Sequence, residues 1–137
     1  MGIENPSNEE IKELLHTSKR IAVVGLSANP ERTSYMVSEA MQNAGYTIIP
    51  VNPTVDEVLG EKAVARLQDI ESEVDIVNVF RRSEHLPEVA KDTVQIGAKS
   101  FWAQLGVENE EAHDYLQEQG VQTIMNRCIK VEHAKFK

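Results

Sequence analysis

The sequence predicts an α/β protein, a doubly wound and mainly parallel sheet of five or six strands lying between two layers of helices. Short apolar runs alternate with amphipathic stretches from one end of the chain to the other. Several of the runs are apolar at successive positions, the pattern of strands covered on both faces. Strand, helix and strand in series demand right-handed crossovers, which put helices on both sides of the sheet. The fold class is therefore Rossmann-like and three-layered.

Each element has a local reason. A first helix begins at Ser7, whose partner Glu10 completes a capping box, and buries Ile11, Leu14 and Leu15. Residues 21–24 read as the first strand. Met36, Val37, Ala40, Met41 and Ala44 then form one helical stripe, ended by Gly45 before a second strand at 47–51. Residues 54–73 are less regular: a short strand is expected at 62–65 and a turn of helix at 67–70. A strand at 75–80 leads into a helix with Ser83 as its N-cap and Leu86, Val89, Ala90, Val94 and Gly97 along one side. A strand at 100–103 precedes a helix carrying Ala112, Tyr115 and Leu116, which Gly120 ends before the last strand at 121–125. Residues 128–137 are expected to add a short surface helix.

The chain has 137 residues, the size of one domain spanning 1–137. Its 41% hydrophobic content is enough for a folded core, and no apolar run approaches the roughly 20 residues needed to cross a bilayer. The N-terminus is acidic and polar where a signal peptide is basic and then apolar, so a cytoplasmic protein is expected. Cys128 is the one cysteine, which excludes an internal disulfide and a cysteine-rich zinc site. His16, His85, His113 and His133 show no metal-ligand spacing, so no metal is expected. A net charge of −8 opposes a general nucleic-acid or anionic-membrane surface, though not a local anion pocket.

In an open α/β sheet the ligand edge lies where strands end and the next helices begin. Gly25, Ser27, Arg32 and Ser34 follow the first strand, and Asn52 and Pro53 the second. Arg81, Arg82 and Ser83 follow the strand at 75–80, Gln104 the one at 100–103, and Asn126 and Arg127 the last. Of six arginines, Arg32, Arg81, Arg82 and Arg127 fall on this edge, a distribution that in an acidic protein suggests a polyanionic ligand. Trp102 reads as core, and His85 and His113, in or beside acidic helices, read as solvated.

A first strand ending in glycine invites a dinucleotide, but the details resist it. The fingerprint G-x-G-x-x-G has Ser27 in its second glycine position and Pro30 in its third, and no acidic residue follows the second strand until Asp56. A more highly phosphorylated nucleotide suits the edge better. The Ser27 hydroxyl and loop N–H groups can hold a pyrophosphate while arginines take a further phosphomonoester.

Taken in order, Val24-Gly25-Leu26-Ser27, Arg32-Thr33-Ser34, Gly45-Tyr46, Pro50-Val51-Asn52-Pro53, Phe80-Arg81-Arg82, Trp102 with Gln104 and Gly106, and Asn126-Arg127-Cys128 resemble the small bacterial and archaeal CoA-binding proteins. The pattern is similar to the CoA-binding domain that forms the N-terminal part of the succinyl-CoA synthetase α subunit. It covers the chain from about residue 11 to residue 128. The resemblance implies that Gly25, Ser27, Arg32, Ser34 and Tyr35 contact phosphates. It implies that Asn52, Pro53, Val79, Phe80, Arg81 and Arg82 frame the nucleotide and pantetheine, with Arg81 or Arg82 near a phosphate. Gln104 and Asn126 would lie where the pantetheine arm leaves.

The synthetase's phosphorylated histidine belongs to a second domain, so this chain alone is not expected to ligate an acid to CoA, and no internal catalytic set is evident. The expected function is non-catalytic binding of CoA or acyl-CoA, as a carrier, a sensor or a partner of a larger enzyme or of a second copy. Two alternatives stand beside it: an NAD(P)-binding oxidoreductase subunit, on fold analogy alone, and a redox protein forming a mixed disulfide between Cys128 and CoA.

Overall fold

A computed structural model describes residues 3–136. The elements run α1 (Asn8–Thr17), β1 (Arg20–Val24), α2 (Thr33–Asn43), β2 (Thr47–Val51), β3 (Glu57–Val58), β4 (Glu61–Lys62), β5 (Ile76–Val79), α3 (Leu86–Gln95), β6 (Ser100–Ala103), α4 (Glu110–Glu118), β7 (Gln122–Ile124) and α5 (Ile129–Lys135). Five strands form one parallel sheet in the order β2-β1-β5-β6-β7. Strand order therefore reverses at β1, and the switch point lies between β1 and β5.

Alternation along each strand divides the core in two. Ala22, Val24, Val77, Val79, Phe101 and Ala103 pack with Leu86, Val89 and Ala90 of α3 and with Ala112 and Leu116 of α4. Ile21, Val23, Ile76, Trp102 and Ile124 pack on the other side with α1, α2 and Ile129 of α5. The capping box at Ser7 and Glu10 is present, and Ile11, Leu14 and Leu15 are buried as expected. Trp102 is fully buried, its indole N–H donating to the Arg127 carbonyl.

Several local expectations change. Residues 62–65 do not form a sixth strand of the main sheet. Leu59 and Gly60, at φ 56° and 77°, fold the chain into the β3-β4 hairpin, and Val64 makes only an isolated bridge to Val51. Ser83 does not cap α3: a 3-10 turn over Ser83–His85 places it too far upstream, and its hydroxyl accepts from Glu108 N at 3.0 Å. The buried face of α2 is Ser34, Val37, Ser38 and Met41, so Met36 is left 48% exposed. His113 is buried, not solvated, because the N-terminal segment folds over α4 and brings the Glu4 carbonyl to its ring. The last helix is integral, seating Ile129 and Glu132 and packing on α1 and α2.

The amino-terminal edge of the sheet is held by Asp75. Its Oδ2 accepts from the backbone N–H groups of Lys19 and Arg20, and Oδ1 faces the Lys99 ammonium at 3.3 Å. Burial opposes its charge, but the two N–H groups and Lys99 outweigh burial and hold the carboxyl below its ordinary value of 3.8. A group with a lowered folded value stabilises above the unfolded value and loses that effect as pH falls through the folded one. Asp75→Ala should therefore cost about 1–3 kcal/mol at pH 7 by stranding the two N–H groups. In urea titrations the gap to wild type should narrow steadily as the pH is lowered below 3.8; a gap independent of pH would exclude this role.

Candidate functional site

At the switch point the backbone itself builds the site. Gly25 N donates to Val51 O and Phe80 N donates to Val24 O, each at 2.9 Å, so the ends of β2, β1 and β5 are tied together. Gly25 has φ +86°, and a Cβ there would lie 2.6 Å from the Phe80 carbonyl oxygen. Both the conformation and the close approach require glycine.

The loop beyond Gly25 is held by its own short side chains. Ser27 Oγ accepts from Asn29 N, Asn29 Oδ1 accepts from Glu31 N, and Ser34 Oγ accepts from Ser27 N, each at 3.0 Å. Asn52 joins the neighbouring loop by donating to Leu26 O at 3.0 Å while its Oδ1 accepts from the Thr54 N–H and hydroxyl. Each serine hydroxyl has accepted a bond and retains its own hydrogen to donate. The amino end of α2 opens onto this loop. Ser7 caps α1 and Asn109 caps α4, but at α2, as at α3 and α5, the N-cap residue makes no side-chain capping bond.

Two cavities flank Gly25 and Asn52, which line both. One, of about 730 Å³, is polar and is bounded by Ser27, Glu31, Arg32, Thr33, Ser34, Thr54 and Phe80. The other, of about 520 Å³, has apolar walls from Val24, Val51, Leu67 and Val89, with Arg66, Arg81, Glu88 and Asp92 around them. Arg66 makes an exposed 3.4 Å pair with Asp69, worth little to stability.

Of the residues singled out in the sequence, Pro53 and Arg81 join Gly25 and Asn52 on the apolar cavity, while Ser27, Arg32, Ser34 and Phe80 join them on the polar one. Tyr35, Val79, Arg82, Gln104 and Asn126 line neither. Val79 is fully buried in the core. Gln104 is buried, its Oε1 accepting from Asn78 Nδ2 at 3.4 Å and Ile129 N at 3.5 Å. Asn126 takes φ 59°, a conformation asparagine tolerates, and accepts from Gly106 N at 2.7 Å. Arg82 is exposed, Arg127 lies 4.0 Å from the buried Glu132, and Tyr35 packs against the core beneath α2. Cys128 is half-buried and lines neither cavity.

Arg66, Glu88 and Asp92 were not foreseen. Arg66 precedes a 3-10 turn in the irregular crossover, and Glu88 and Asp92 lie one turn apart on α3. Their one sequence signal is that they flank Val89 on a helix leaving the ligand edge. Among the described residues no three histidine, cysteine, aspartate or glutamate side chains gather as a metal site, and no helix is long and apolar enough to cross a membrane.

Residues 19–134 match the family model described as a CoA binding domain. The chain belongs to that family. This CoA-binding domain is 62% identical, over 98% of its length and the whole of the other chain, to the uncharacterized protein YneT of Bacillus subtilis. A hypothetical protein from Pyrococcus horikoshii OT3 has the same fold, with a TM-score of 0.92 and 34% identity over 99% of both chains. An ADP-forming acetate–CoA ligase of Methanocaldococcus jannaschii is 25% identical over 81 residues, which are 59% of this chain and 12% of the ligase. The CoA-binding domain thus corresponds to a small part of that longer protein.

Gly25→Ala tests the close crossing. Left-handed backbone and the contact with Phe80 together should lower stability by about 2–4 kcal/mol in urea unfolding. A loss under about 0.5 kcal/mol, the scale of an ordinary surface substitution, would show that the two loops part freely.

Proposed function

We propose that residues 1–137 act as one binding domain for CoA or acyl-CoA, with the ligand lying astride Gly25 in the two cavities. The observation that carries this reading is their division of labour within a CoA-binding domain. A polar cavity faces an uncapped helix start, and an apolar one with two arginines adjoins it. The pyrophosphate sits in the polar cavity, where the first N–H groups of α2, the hydroxyls of Ser27 and Ser34 and the Arg32 guanidinium all donate. The adenine lies between Val24, Val51, Leu67 and Val89, a slot suited to a flat apolar ring face. Arg66 and Arg81 take the 3′-phosphate. The pantetheine arm leaves past Phe80 towards the loop after β6, where Leu105 stands 66% exposed.

The role is binding, and no residue is assigned to catalysis: a cytoplasmic carrier or sensor, or a subunit supplying CoA to a larger enzyme. No nicotinamide and no Cys128 disulfide enter this reading, since the fingerprint departs at Ser27 and Pro30 and Cys128 lies off the groove.

Isothermal titration should show CoA binding about tenfold or more tighter than 3′-dephospho-CoA, the scale of one or two charge-assisted hydrogen bonds. Arg66→Ala with Arg81→Ala should erase that difference and leave dephospho-CoA almost unaffected. Arg32→Ala, acting on the pyrophosphate, should weaken both ligands by a similar factor. No heat of binding for CoA at about millimolar concentration, where binding is worth only ~4 kcal/mol, would refute the proposal.

A further inference from the structure

The apolar cavity contains a polar arrangement that phosphate binding leaves unexplained. Asp92 stands on its wall, half-buried, one helical turn from Glu88. Gln68 holds it: Nε2 donates to Asp92 Oδ1 at 2.8 Å and to Gln95 Oε1 at 3.0 Å, which commits both amide hydrogens. The Oε1 atom of Gln68 is buried with no hydrogen-bond partner among the described residues, an arrangement that works against stability. The network thus orients Asp92 at a cost, and its carboxylate keeps Oδ2 for something else.

An ionised carboxylate only accepts hydrogen bonds, so the ligand edge against it must donate. In a nucleoside bearing a 3′-phosphate the donors are the exocyclic amino group of adenine and the ribose 2′-hydroxyl. The phosphorylated ribose is repelled by Glu88 and Asp92 and drawn to Arg66 and Arg81, which leaves the base to face α3. Resting on the binding mode proposed above, we infer that Asp92, positioned by Gln68, reads the adenine amino group and makes the cavity select adenine over a 6-oxopurine. A hypoxanthine base would turn a carbonyl oxygen towards the carboxylate, two acceptors with no proton between them.

The test is titration of the whole chain with CoA and with deaminated CoA, in which hypoxanthine replaces adenine. The wild type should bind the deaminated ligand at least about tenfold more weakly. Asp92→Asn can turn its own N–H to the 6-oxo group, so the two affinities should converge to within about threefold. Gln68→Ala, which removes the positioning group alone, should narrow the gap in the same direction. Equal affinities in the wild type overturn the inference without any variant, and so does a gap that Asp92→Asn leaves intact. If CoA itself fails to bind, it is the binding mode that has failed, and the inference falls with it.

Discussion

The passage of Gly25 against the carbonyl of Phe80 is the contact on which the groove depends. In a sheet ordered β2-β1-β5-β6-β7, the crossovers leaving β1 and β5 go to opposite faces, so their loops must part directly above paired strand ends. With any Cβ at position 25 the two backbones could not lie this close, and the floor shared by the two cavities would be side chain in place of peptide. The same residue donates to Val51, so one glycine joins the ends of three strands.

From that floor outward, the rim is tied loop to loop by short polar side chains. Asn52 links the β2 loop to Leu26 after β1, Ser83 and Asn109 link the loops after β5 and β6, and Asn126 links β7 to Gly106. Such ties reduce the ordering cost that a bound ligand would otherwise meet. The opposite edge is held by a charge: Asp75 gathers the starts of β1 and β6.

The chain is acidic as a whole, yet Arg32, Arg66 and Arg81 line the two cavities. Glu31 stands beside Arg32 on the polar cavity, so neither cavity carries a net surplus of positive side chains, and what each offers is the placement of its charges. Glu88 and Asp92 stand among them on the apolar side, so that cavity presents acceptors and donors at separate points of its wall. In the proposed binding mode such an arrangement would discriminate by pattern, which total charge cannot.

The legible part of the protein is the part governed by local periodicity and capping. Ser7 with Glu10 and the apolar runs of the five main strands act through near neighbours in sequence, so the fold class, and with it the edge where strands end and the next helices begin, was readable from the residues. Tertiary structure decided which side chains reach that edge. Gln104 and Asn126 follow strands as Asn52 does, but their amide oxygens accept from Asn78 of β5 with Ile129 of α5 and from Gly106; Arg82 and Arg127 follow strands as Arg81 does, but line neither cavity. Arg66 and Asp92 arrive from an irregular crossover and from the polar side of α3. Sequence determines where backbone N–H groups gather because that follows from strand and helix order. The direction of a side chain and the partners competing for it depend on contacts distant along the chain, and only folding brings those together.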